Sequence, residues 1–318
     1  MNNFFLLGAG FSHAVSSQKA PLTSHLMDAI KDVVPYELEQ EFYYYNNIES
    51  FITALDLRIN NSDLPNIKEV FFSFRQKVVS KIKDILNINK IRDDSCKVGN
   101  EFIEAIKQDD IILTLNYDCL IDSLLNDSKK WSPKGGYSPF IGRFPDNSEN
   151  NQNILLLKLH GSVNFVEAVP FNGRGFDESS RSINVEMEGN VFRNSGIGHL
   201  GTIKEAQRGE YIILPTYIKT YHPQIICLWR LAIEKIQPAS KLTIIGCSLR
   251  EEDTALNILL SMFNSNKKDK GEIYIIDKNA DIIGNKIKNL CRVDDSSIKK
   301  YKGDLKDVLG NYLKDYNK

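Results

Sequence analysis

The sequence lacks the cysteine pairs of a metal site or of a disulfide framework. It has five cysteines in 318 residues, and none of them belongs to a CxxC pair. A zinc ribbon needs such pairs, and small secreted domains use an even number of closely spaced cysteines. We therefore predict a protein that binds no metal and keeps its cysteines reduced and mostly buried, as is usual in the cytoplasm.

Long apolar runs and an excess of basic charge are absent too. No stretch reaches the roughly 18 apolar residues that cross a bilayer. The short apolar run Phe4–Leu7 has no basic segment before it, unlike that of a signal peptide. The 40 basic and 41 acidic residues give a net charge of −1, whereas proteins that bind duplex nucleic acids usually carry a basic face. We expect a cytoplasmic protein with no membrane partner and no direct nucleic acid partner.

Short, continuous apolar runs alternate with segments of helical periodicity. Runs of this length, bounded by Gly, Asp, Asn or Pro, are typical of strands buried on both faces of a parallel sheet. They lie at Phe4–Leu7, Ile111–Leu115, Ile154–Leu159, Tyr211–Leu214, Leu242–Ile245 and Ile273–Ile276. Apolar residues at helical spacing predict an amphipathic helix over 68–86. The alternation predicts an α/β fold with a Rossmann-like, mostly parallel sheet.

We predict a single domain over residues 1–318, with two segments that depart from this alternation. Residues 36–105 have helical patterns and no strand pattern, which predicts a smaller, mainly helical insertion. Residues 166–209 are rich in Gly, Asn and Ser. We interpret them as a long surface excursion, since loops of that length often cover a site or contact a partner. The Rossmann-like core then covers about 1–35, 106–165 and 210–318.

A glycine-rich turn follows the first predicted strand directly. Residues 8–12 read Gly-Ala-Gly-Phe-Ser and stand where Rossmann-like folds bring backbone N–H groups to a diphosphate. His13 occupies the place of the third glycine of the dehydrogenase fingerprint, and no strand pattern with an acidic end follows at 28–35. The turn predicts a dinucleotide site without the hydride-transfer arrangement. An ordinary strand-to-helix turn is the alternative.

Polar residues and glycines also follow the other predicted strands at the point where each strand ends. The carboxyl ends of parallel strands meet at one edge of a sheet, where open α/β folds bind their ligands. Asp118 could instead cap a helix, His160 could be a hydrogen-bonded structural histidine, and Asp253 could offset a helix dipole. Their meeting at one edge favours a site built from Asn116, Asp118, His160, Gly161, Gly246, Ser248 and Asp277.

Four of these segments together resemble a known family. The motifs are Gly-Ala-Gly-Phe-Ser at 8–12, Thr-Leu-Asn-Tyr-Asp at 114–118, Lys-Leu-His-Gly-Ser at 158–162 and Ile-Ile-Gly-Cys-Ser-Leu at 244–249. In order and spacing they resemble the sirtuin-like NAD-consuming domains of bacterial antiphage systems, over about 1–35 and 106–280. The resemblance implies a Rossmann-like NAD⁺ site with a smaller helical module.

The resemblance also implies roles for individual residues. The family requires the Asn of its Asn-Tyr-Asp motif and the His of its Leu-His-Gly motif for NAD⁺ cleavage, and these correspond to Asn116 and His160. We expect Asn116 to position the ribose hydroxyl and the attacking water, His160 to act as general base, and Asp118 to orient the site or support the cationic state. The predicted NAD⁺-binding set is Gly8, Ala9, Gly10, Phe11, Ser12, Thr23, Gly161, Gly246, Ser248 and Asp277.

The predicted function is hydrolysis of NAD⁺ to nicotinamide and ADP-ribose by a triggered effector of antiphage defence. The resemblance implies control by a separate sensor, such as a HerA-like ATPase or a short Argonaute, or by assembly into a homo-oligomer. The alternatives are a sirtuin-type protein deacylase or ADP-ribosyltransferase, and a subunit that binds NAD⁺ or ADP-ribose without turnover. The missing zinc ribbon counts against an acyl-lysine substrate. So do Lys-Ala-Pro-Leu-Thr at 19–23, where deacylases have Pro-Asp-Phe-Arg, and Tyr117, where they have Ile.

Overall fold

The strands form two separate sheets. The computed structural model describes residues 3–45, 47–61, 65–137, 154–170, 181–185, 205–263 and 271–316. The strands are β1 (Asn3–Leu7), β2 (Ile111–Thr114), β3 (Leu155–Lys158), β4 (Gly161–Pro170), β5 (Ser182–Val185), β6 (Glu205–Ile212), β7 (Lys241–Ile245), β8 (Glu272–Asp277) and β9 (Ile298–Lys302). The main sheet has the order β3-β2-β1-β7-β8-β9, and the second has the order β5-β4-β6.

The main sheet is parallel throughout and confirms the predicted fold class. Each pairing between neighbours is parallel, and the register aligns Leu7 at the end of β1 with Thr114 of β2 and Ile245 of β7. The four inner strands are almost fully buried, because apolar side chains project from both faces into helical layers. The order in space is that of a doubly wound sheet, in which the direction of winding reverses between β1 and β7. Ligands of such folds bind at this switch point.

Helices cover both faces of the main sheet and fill the segment between β1 and β2. They are α1 (Ala9–Val15), α2 (Leu26–Ile30), α3 (Glu39–Tyr44), α4 (Ile48–Asn61), α5 (Pro65–Ile85), α6 (Ile88–Ile91), α7 (Lys97–Ala105), α8 (Leu120–Asp127), α9 (Pro133–Gly136), α10 (Pro223–Ile236), α11 (Thr254–Ser261), α12 (Ala280–Cys291) and α13 (Leu305–Tyr316). Among the described residues, no helix is both long and apolar enough to cross a membrane.

Where the structure describes it, the segment 36–105 consists of helices and the short connections between them. Its centre is a cluster of aromatic rings from α4 and α5, in which Phe51 and Phe74 meet edge to face at 5.8 Å. The last of its helices, α7, packs on the main sheet instead, because Phe102 sits edge to face against Phe5 of β1 at 5.4 Å. The helical pattern is therefore as expected, while α7 belongs by its packing to the layers around the sheet.

One strand prediction was wrong in detail. Tyr211–Leu214 was expected in the parallel sheet, but β6 ends at Ile212 and pairs antiparallel with β4 in the second sheet. An apolar run does not reveal its partner, so the sequence could not separate the two sheets. The excursion predicted at 166–209 contains β5 and parts of β4 and β6. The remainder of that stretch, 171–180 and 186–204, lies outside the described residues.

The strand β9 was not predicted from the sequence. It reads Ile-Lys-Lys-Tyr-Lys, and most of its residues are exposed because it lies at the edge of the main sheet. Lysines on an edge strand discourage pairing with another chain, and they also remove the apolar run that marks the inner strands.

Hydrogen bonds attach α13 to the edge of the main sheet at which the strands begin. The Tyr316 hydroxyl donates to Asp110 Oδ2 at 2.6 Å and accepts from Asn3 Nδ2 at 2.9 Å. Asn3 Nδ2 also donates to Asp110 Oδ1 at 3.0 Å. This buried group fastens α13 across the starts of β1 and β2.

Candidate functional site

The loops that follow β1 and β7 touch each other at the switch point. The backbone N–H of Gly8 donates to Ile245 O at 3.0 Å, and that of Gly10 donates to Gly246 O at 2.9 Å. A Cβ on Gly8 would lie 2.4 Å from Gly246 O, so a larger residue does not fit there. Gly246 adopts a φ of +59°, a conformation that favours glycine. These glycines are what allow the two loops to approach so closely.

A cavity of about 650 Å³ opens beside these loops at the carboxyl edge of the main sheet. It brings together most of the predicted site residues, although they come from distant parts of the chain. The predicted residues in its wall are Gly8, Ala9, Gly10, Ser12, Thr23, Asn116, Asp118, His160, Gly246, Ser248 and Asp277.

Two predicted residues, Phe11 and Gly161, are not in this wall. Phe11 is buried, and its ring packs edge to face on Phe102 at 5.1 Å. Gly161 begins β4 with a φ of +80°, and a Cβ there would lie 2.1 Å from Tyr211 O. Phe11 thus lies in the core beneath the turn, and Gly161 lies where β4 passes close to β6.

Asn116 is fastened to the glycine turn by its side chain. Its Nδ2 donates to Gly8 O and to Ser12 Oγ, both at 2.9 Å. Its backbone N–H donates to Thr114 Oγ1 at 3.0 Å. The loop after β2 and the loop after β1 are therefore held as one unit at the cavity wall.

Asp118 combines a structural contact with a place in the wall. Its Oδ1 accepts from the backbone N–H of Leu120 at 3.0 Å, at the start of α8. This bond matches the helix-capping alternative, yet the residue also lines the cavity. The residue as a whole is 4% exposed. Burial raises the pKa of Asp118, and the positive charge of Lys158 offsets this only in part.

A fully buried lysine lies directly behind the loop of Asn116 and Asp118. Lys158 Nζ donates to the backbone oxygen of Asp118 at 2.5 Å and to Asp122 Oδ2 at 3.0 Å. Asp122 also accepts from the Tyr137 hydroxyl. Burial acts to lower the pKa of Lys158, but the negative charges around it, Asp122 first, raise it overall. The ammonium group of Lys158 is therefore charged, and it holds the loop of Asn116 and Asp118 in place from the protein interior.

Lys158 was not predicted as a site residue, although it belongs to the Lys-Leu-His-Gly-Ser motif at 158–162. A lysine that ends a fully apolar run was the signal available. Lys158 is the last residue of β3, and His160 follows two residues later. The same strand therefore positions both the buried lysine and the candidate base.

His160 is buried and neutral in the cavity wall. His160 is only 6% exposed, and burial lowers the pKa of its imidazole to about 4. Its Nε2 lies 4.0 Å from Asp253 Oδ1, which accepts from Lys219 Nζ at 2.8 Å. An imidazole in this state has a free lone pair at neutral pH, so it can accept a proton.

Further charged residues of the wall were not predicted. Lys219 lies in the loop between β6 and α10, and nothing in its local sequence points to the site. Glu49 of α4 forms an ion pair with Arg250 of the loop after β7, and both residues line the cavity. This pair joins the helical segment 36–105 to the site.

The far end of the cavity lies beyond β8 and β9. Asp277 Oδ1 accepts from the backbone N–H of Asn279 at 2.7 Å, and burial raises the pKa of Asp277. Lys278, Asp304 and Lys306 stand in the same part of the wall. The loop after β9 was not predicted to be part of the site, because β9 itself was not predicted. Within the described ranges, no group of three or more His, Cys, Asp or Glu residues could hold a metal ion.

No protein-family model and no curated protein matches this sequence, but solved structures match its fold. One is a triple mutant of a Sir2 homologue in complex with 2'-O-acetyl-ADP-ribose. It is 15% identical, with a TM-score of 0.50 over 99% of this chain and 91% of that chain. The fold is sirtuin-like.

Two further matches are weaker. A point mutant of a Sir2 homologue in complex with ADP-ribose is 13% identical, with a TM-score of 0.46 over 99% of this chain and 91% of that chain. Sir2 with a p53 peptide and NAD⁺ is also 13% identical, with a TM-score of 0.40 over 99% and 92%. The assignment of the sirtuin-like fold rests on the first match alone.

Proposed function

We propose that this protein hydrolyses NAD⁺ to nicotinamide and ADP-ribose. One observation carries the proposal: a neutral, buried His160 and an Asn116 fastened to the glycine turn line the same cavity at the switch point of the sheet. The Sir2 homologue that shares the fold was solved with a derivative of ADP-ribose, which supports this class of ligand.

The cavity has the size and the polar groups that NAD⁺ requires. About 650 Å³ lies within the usual range of roughly 300–1,000 Å³ for a small-molecule site. We assign the diphosphate to the glycine turn of residues 8–12, whose backbone can approach a ligand closely because Gly8 and Gly10 carry no side chain. At the far end, we assign Asp277 to the hydroxyl groups of the adenosine ribose, because a carboxylate after a strand accepts from such hydroxyls.

In the proposed reaction, water attacks the ribose carbon that carries nicotinamide. The new bond joins the water oxygen to that carbon, the carbon–nitrogen bond breaks, and nicotinamide leaves as a neutral molecule with the electron pair. The transition state resembles an oxocarbenium ion, as in other glycoside cleavages. Nicotinamide needs no acid to leave, because the electron pair neutralises its pyridinium ring. The water proton passes to the His160 imidazole, which is neutral and can accept it.

Asn116 and Asp118 are assigned to positioning. Asn116 is rigid, since its Nδ2 holds both Gly8 O and Ser12 Oγ, and we assign it to orient the ribose and the attacking water. Correct orientation of two reactants accounts for a large part of many enzymatic rate enhancements. Asp118 provides negative charge near the developing cation when it is ionised.

We further propose that the enzyme is an NAD⁺-depleting effector of antiphage defence, controlled by a sensor protein or by assembly of copies. Free NAD⁺ hydrolysis is toxic to a cell, so the activity must be triggered. Large exposed aromatic side chains in the segment 36–105 support a contact surface there, namely Tyr36, Tyr43, Tyr44 and Phe72.

Purified protein incubated with NAD⁺ tests the enzymatic proposal, with nicotinamide and ADP-ribose quantified over time. We expect both products in equal amounts, and a loss of at least about 100-fold in Asn116→Ala and in His160→Ala. Asn311→Ala is the matched control, because Asn311 is exposed on α13, and it should behave as the wild type.

Two results would contradict the proposal. One is full activity in Asn116→Ala; the other is nicotinamide release only when an acylated peptide is supplied, which would indicate a deacylase. If the purified chain needs its trigger, expression in cells decides. We then expect growth arrest with falling NAD⁺ for the wild type and for Asn311→Ala, and neither effect for the two site variants.

A further inference from the structure

Three side chains from separate parts of the chain meet beside the candidate base. His160 follows β3, Lys219 lies between β6 and α10, and Asp253 precedes α11. Asp253 Oδ1 accepts from Lys219 Nζ at 2.8 Å and lies 4.0 Å from His160 Nε2. All three residues line the cavity, and their side chains are mostly buried.

This arrangement holds the Asp253 carboxylate in one place. Lys219 binds the same carboxylate oxygen that faces the imidazole, and it also donates to the backbone oxygen of Glu252 at 3.4 Å. The backbone N–H of Asp253 donates to Arg250 O at 3.3 Å. At 4.0 Å the carboxylate is too far for a hydrogen bond to His160. It acts on the ring through its charge, and charge acts strongly where water is largely excluded.

Two charged groups act on the His160 imidazole, and they oppose each other. Asp253 raises the pKa of the ring and Lys219 lowers it, while burial lowers it most. Trp229 packs against the ring with a centroid distance of 6.3 Å and adds no charge. The resting base is therefore neutral, with a fixed negative charge near it that is balanced by the lysine.

We propose that Asp253, held by Lys219, is a positioning residue that supports the His160 imidazolium formed when the base takes a proton from water. The proton stays on the imidazole and Asp253 stays ionised, so no further transfer is needed. This inference rests on the proposed hydrolysis for its effect on rate. Its effect on the imidazole itself does not depend on that reaction.

Three substitutions and one control test the proposal. Asp253→Asn removes the negative charge with little change of shape. Lys219→Met removes the opposing positive charge, and the double variant Lys219→Met/Asp253→Asn removes both without leaving an unpaired buried ion. Glu251→Gln is the matched control, because Glu251 is an exposed acid in the same loop.

The first measurement is the titration of the His160 ring by NMR, with the signal assigned by its loss in His160→Gln. We expect the His160 pKa to fall in Asp253→Asn and to rise in Lys219→Met, because each variant removes a charge of known sign. The second measurement is the steady-state cleavage of NAD⁺ at about pH 7.5. There we expect kcat to fall by about 10- to 100-fold in Asp253→Asn and in the double variant, with KM within about threefold.

The pH profile separates this role from a merely structural one. In Lys219→Met the acidic limb of kcat/KM should move to higher pH, because the imidazole becomes easier to protonate. At about pH 7.5 the kcat of this variant should fall less than that of Asp253→Asn, because the carboxylate is still present but is no longer held by Lys219. Glu251→Gln should change neither the profile nor the titration.

The proposal is overturned if Asp253→Asn and the double variant keep the wild-type kcat. It is also overturned if the His160 pKa moves in neither single variant. If the wild type cleaves NAD⁺ neither as purified protein nor when expressed in cells, the proposed function fails on its own. The titration then still decides whether Asp253 and Lys219 control the charge of the ring. If Asp253→Asn alone does not fold, the double variant answers the same question.

Discussion

The protonation state of a single residue, His160, sets the working pH of the proposed reaction. A base must be unprotonated to accept a proton, and burial holds the pKa of this ring at about 4. We therefore predict that kcat/KM for NAD⁺ stays level from about pH 6 to 8 and falls only as the pH approaches about 4. A profile of kcat/KM against pH at constant ionic strength measures this. An acidic limb near 6.5, the ordinary value for histidine, would show that the ring is not buried as described.

The same histidine couples stability to pH. The folded pKa of about 4 lies below the ordinary value of 6.5, so the unfolded chain binds the proton more readily. The contribution of His160 to stability is present above about pH 6.5 and is lost as the pH falls toward 4. The loss over this range amounts to a few kcal/mol. Urea unfolding of the wild type and of His160→Gln over this range should show a shallower decline for the variant.

The buried charge of Lys158 permits another test at the scale of single residues. Lys158→Met leaves the fully buried Asp122 without its cation, and we expect a loss of about 3–5 kcal/mol in the free energy of unfolding. Lys158→Met/Asp122→Asn removes both charges and should recover most of that loss, because Tyr137 can still donate to the side chain at position 122. Urea unfolding measures both variants. A single variant as stable as the wild type would mean that the pair contributes little.

At the scale of elements, the contact between the loops after β1 and β7 depends on glycine. In Gly246→Ala the added Cβ would lie 2.4 Å from the Phe11 backbone nitrogen, at a φ of +59°. The loops must separate, so we expect a loss of about 1–3 kcal/mol in stability and a clear weakening of NAD⁺ binding. Calorimetric titration and urea unfolding measure the two effects.

Gly310→Ala is the matched control for this substitution. Gly310 lies inside α13, where an added Cβ would meet its nearest atom at 4.0 Å. Alanine there should raise stability by about 0.5–1 kcal/mol, because glycine is a poor helix former, and it should leave NAD⁺ binding unchanged. Equal effects of both variants would indicate that the close approach of the two loops does not matter.

The strands that could be predicted from the sequence are those buried on both faces of the main sheet. Strands β1, β2, β7 and β8 are buried on both faces, so their residues form continuous apolar runs. The edge strand β9 faces solvent and carries lysines, and β6 pairs in a second sheet; neither fact has a local signal. The sequence also does not show where the helical insertion ends. The helix α7 has the same helical pattern as the helices before it, yet it packs on the main sheet.

At the scale of the whole molecule, the candidate site was foreseen where residues stand at the ends of predicted strands. Asn116, His160 and Asp277 follow such ends directly, and a parallel sheet brings such ends to one edge. Lys219 was missed because it does not follow a predicted strand end directly. The loop after Tyr211–Leu214 carries it to the cavity. Glu49 was missed because only the folding of the helical segment brings it to Arg250. Tertiary packing brings Lys219 and Glu49 close to the site, and local sequence patterns carry no information about that packing.

The strand order also determines when the cavity can form during synthesis. β1 lies at the centre of the main sheet and leaves the ribosome well before its neighbour β7, which begins at Lys241. A nascent chain that already contains Asn116 and His160 therefore still lacks the wall around Gly246 and the carboxylate of Asp253. The growing polypeptide carries the reactive side chains without an assembled pocket. Translation itself thus delays the proposed NAD⁺ cleavage until the chain has been synthesised past Asp253.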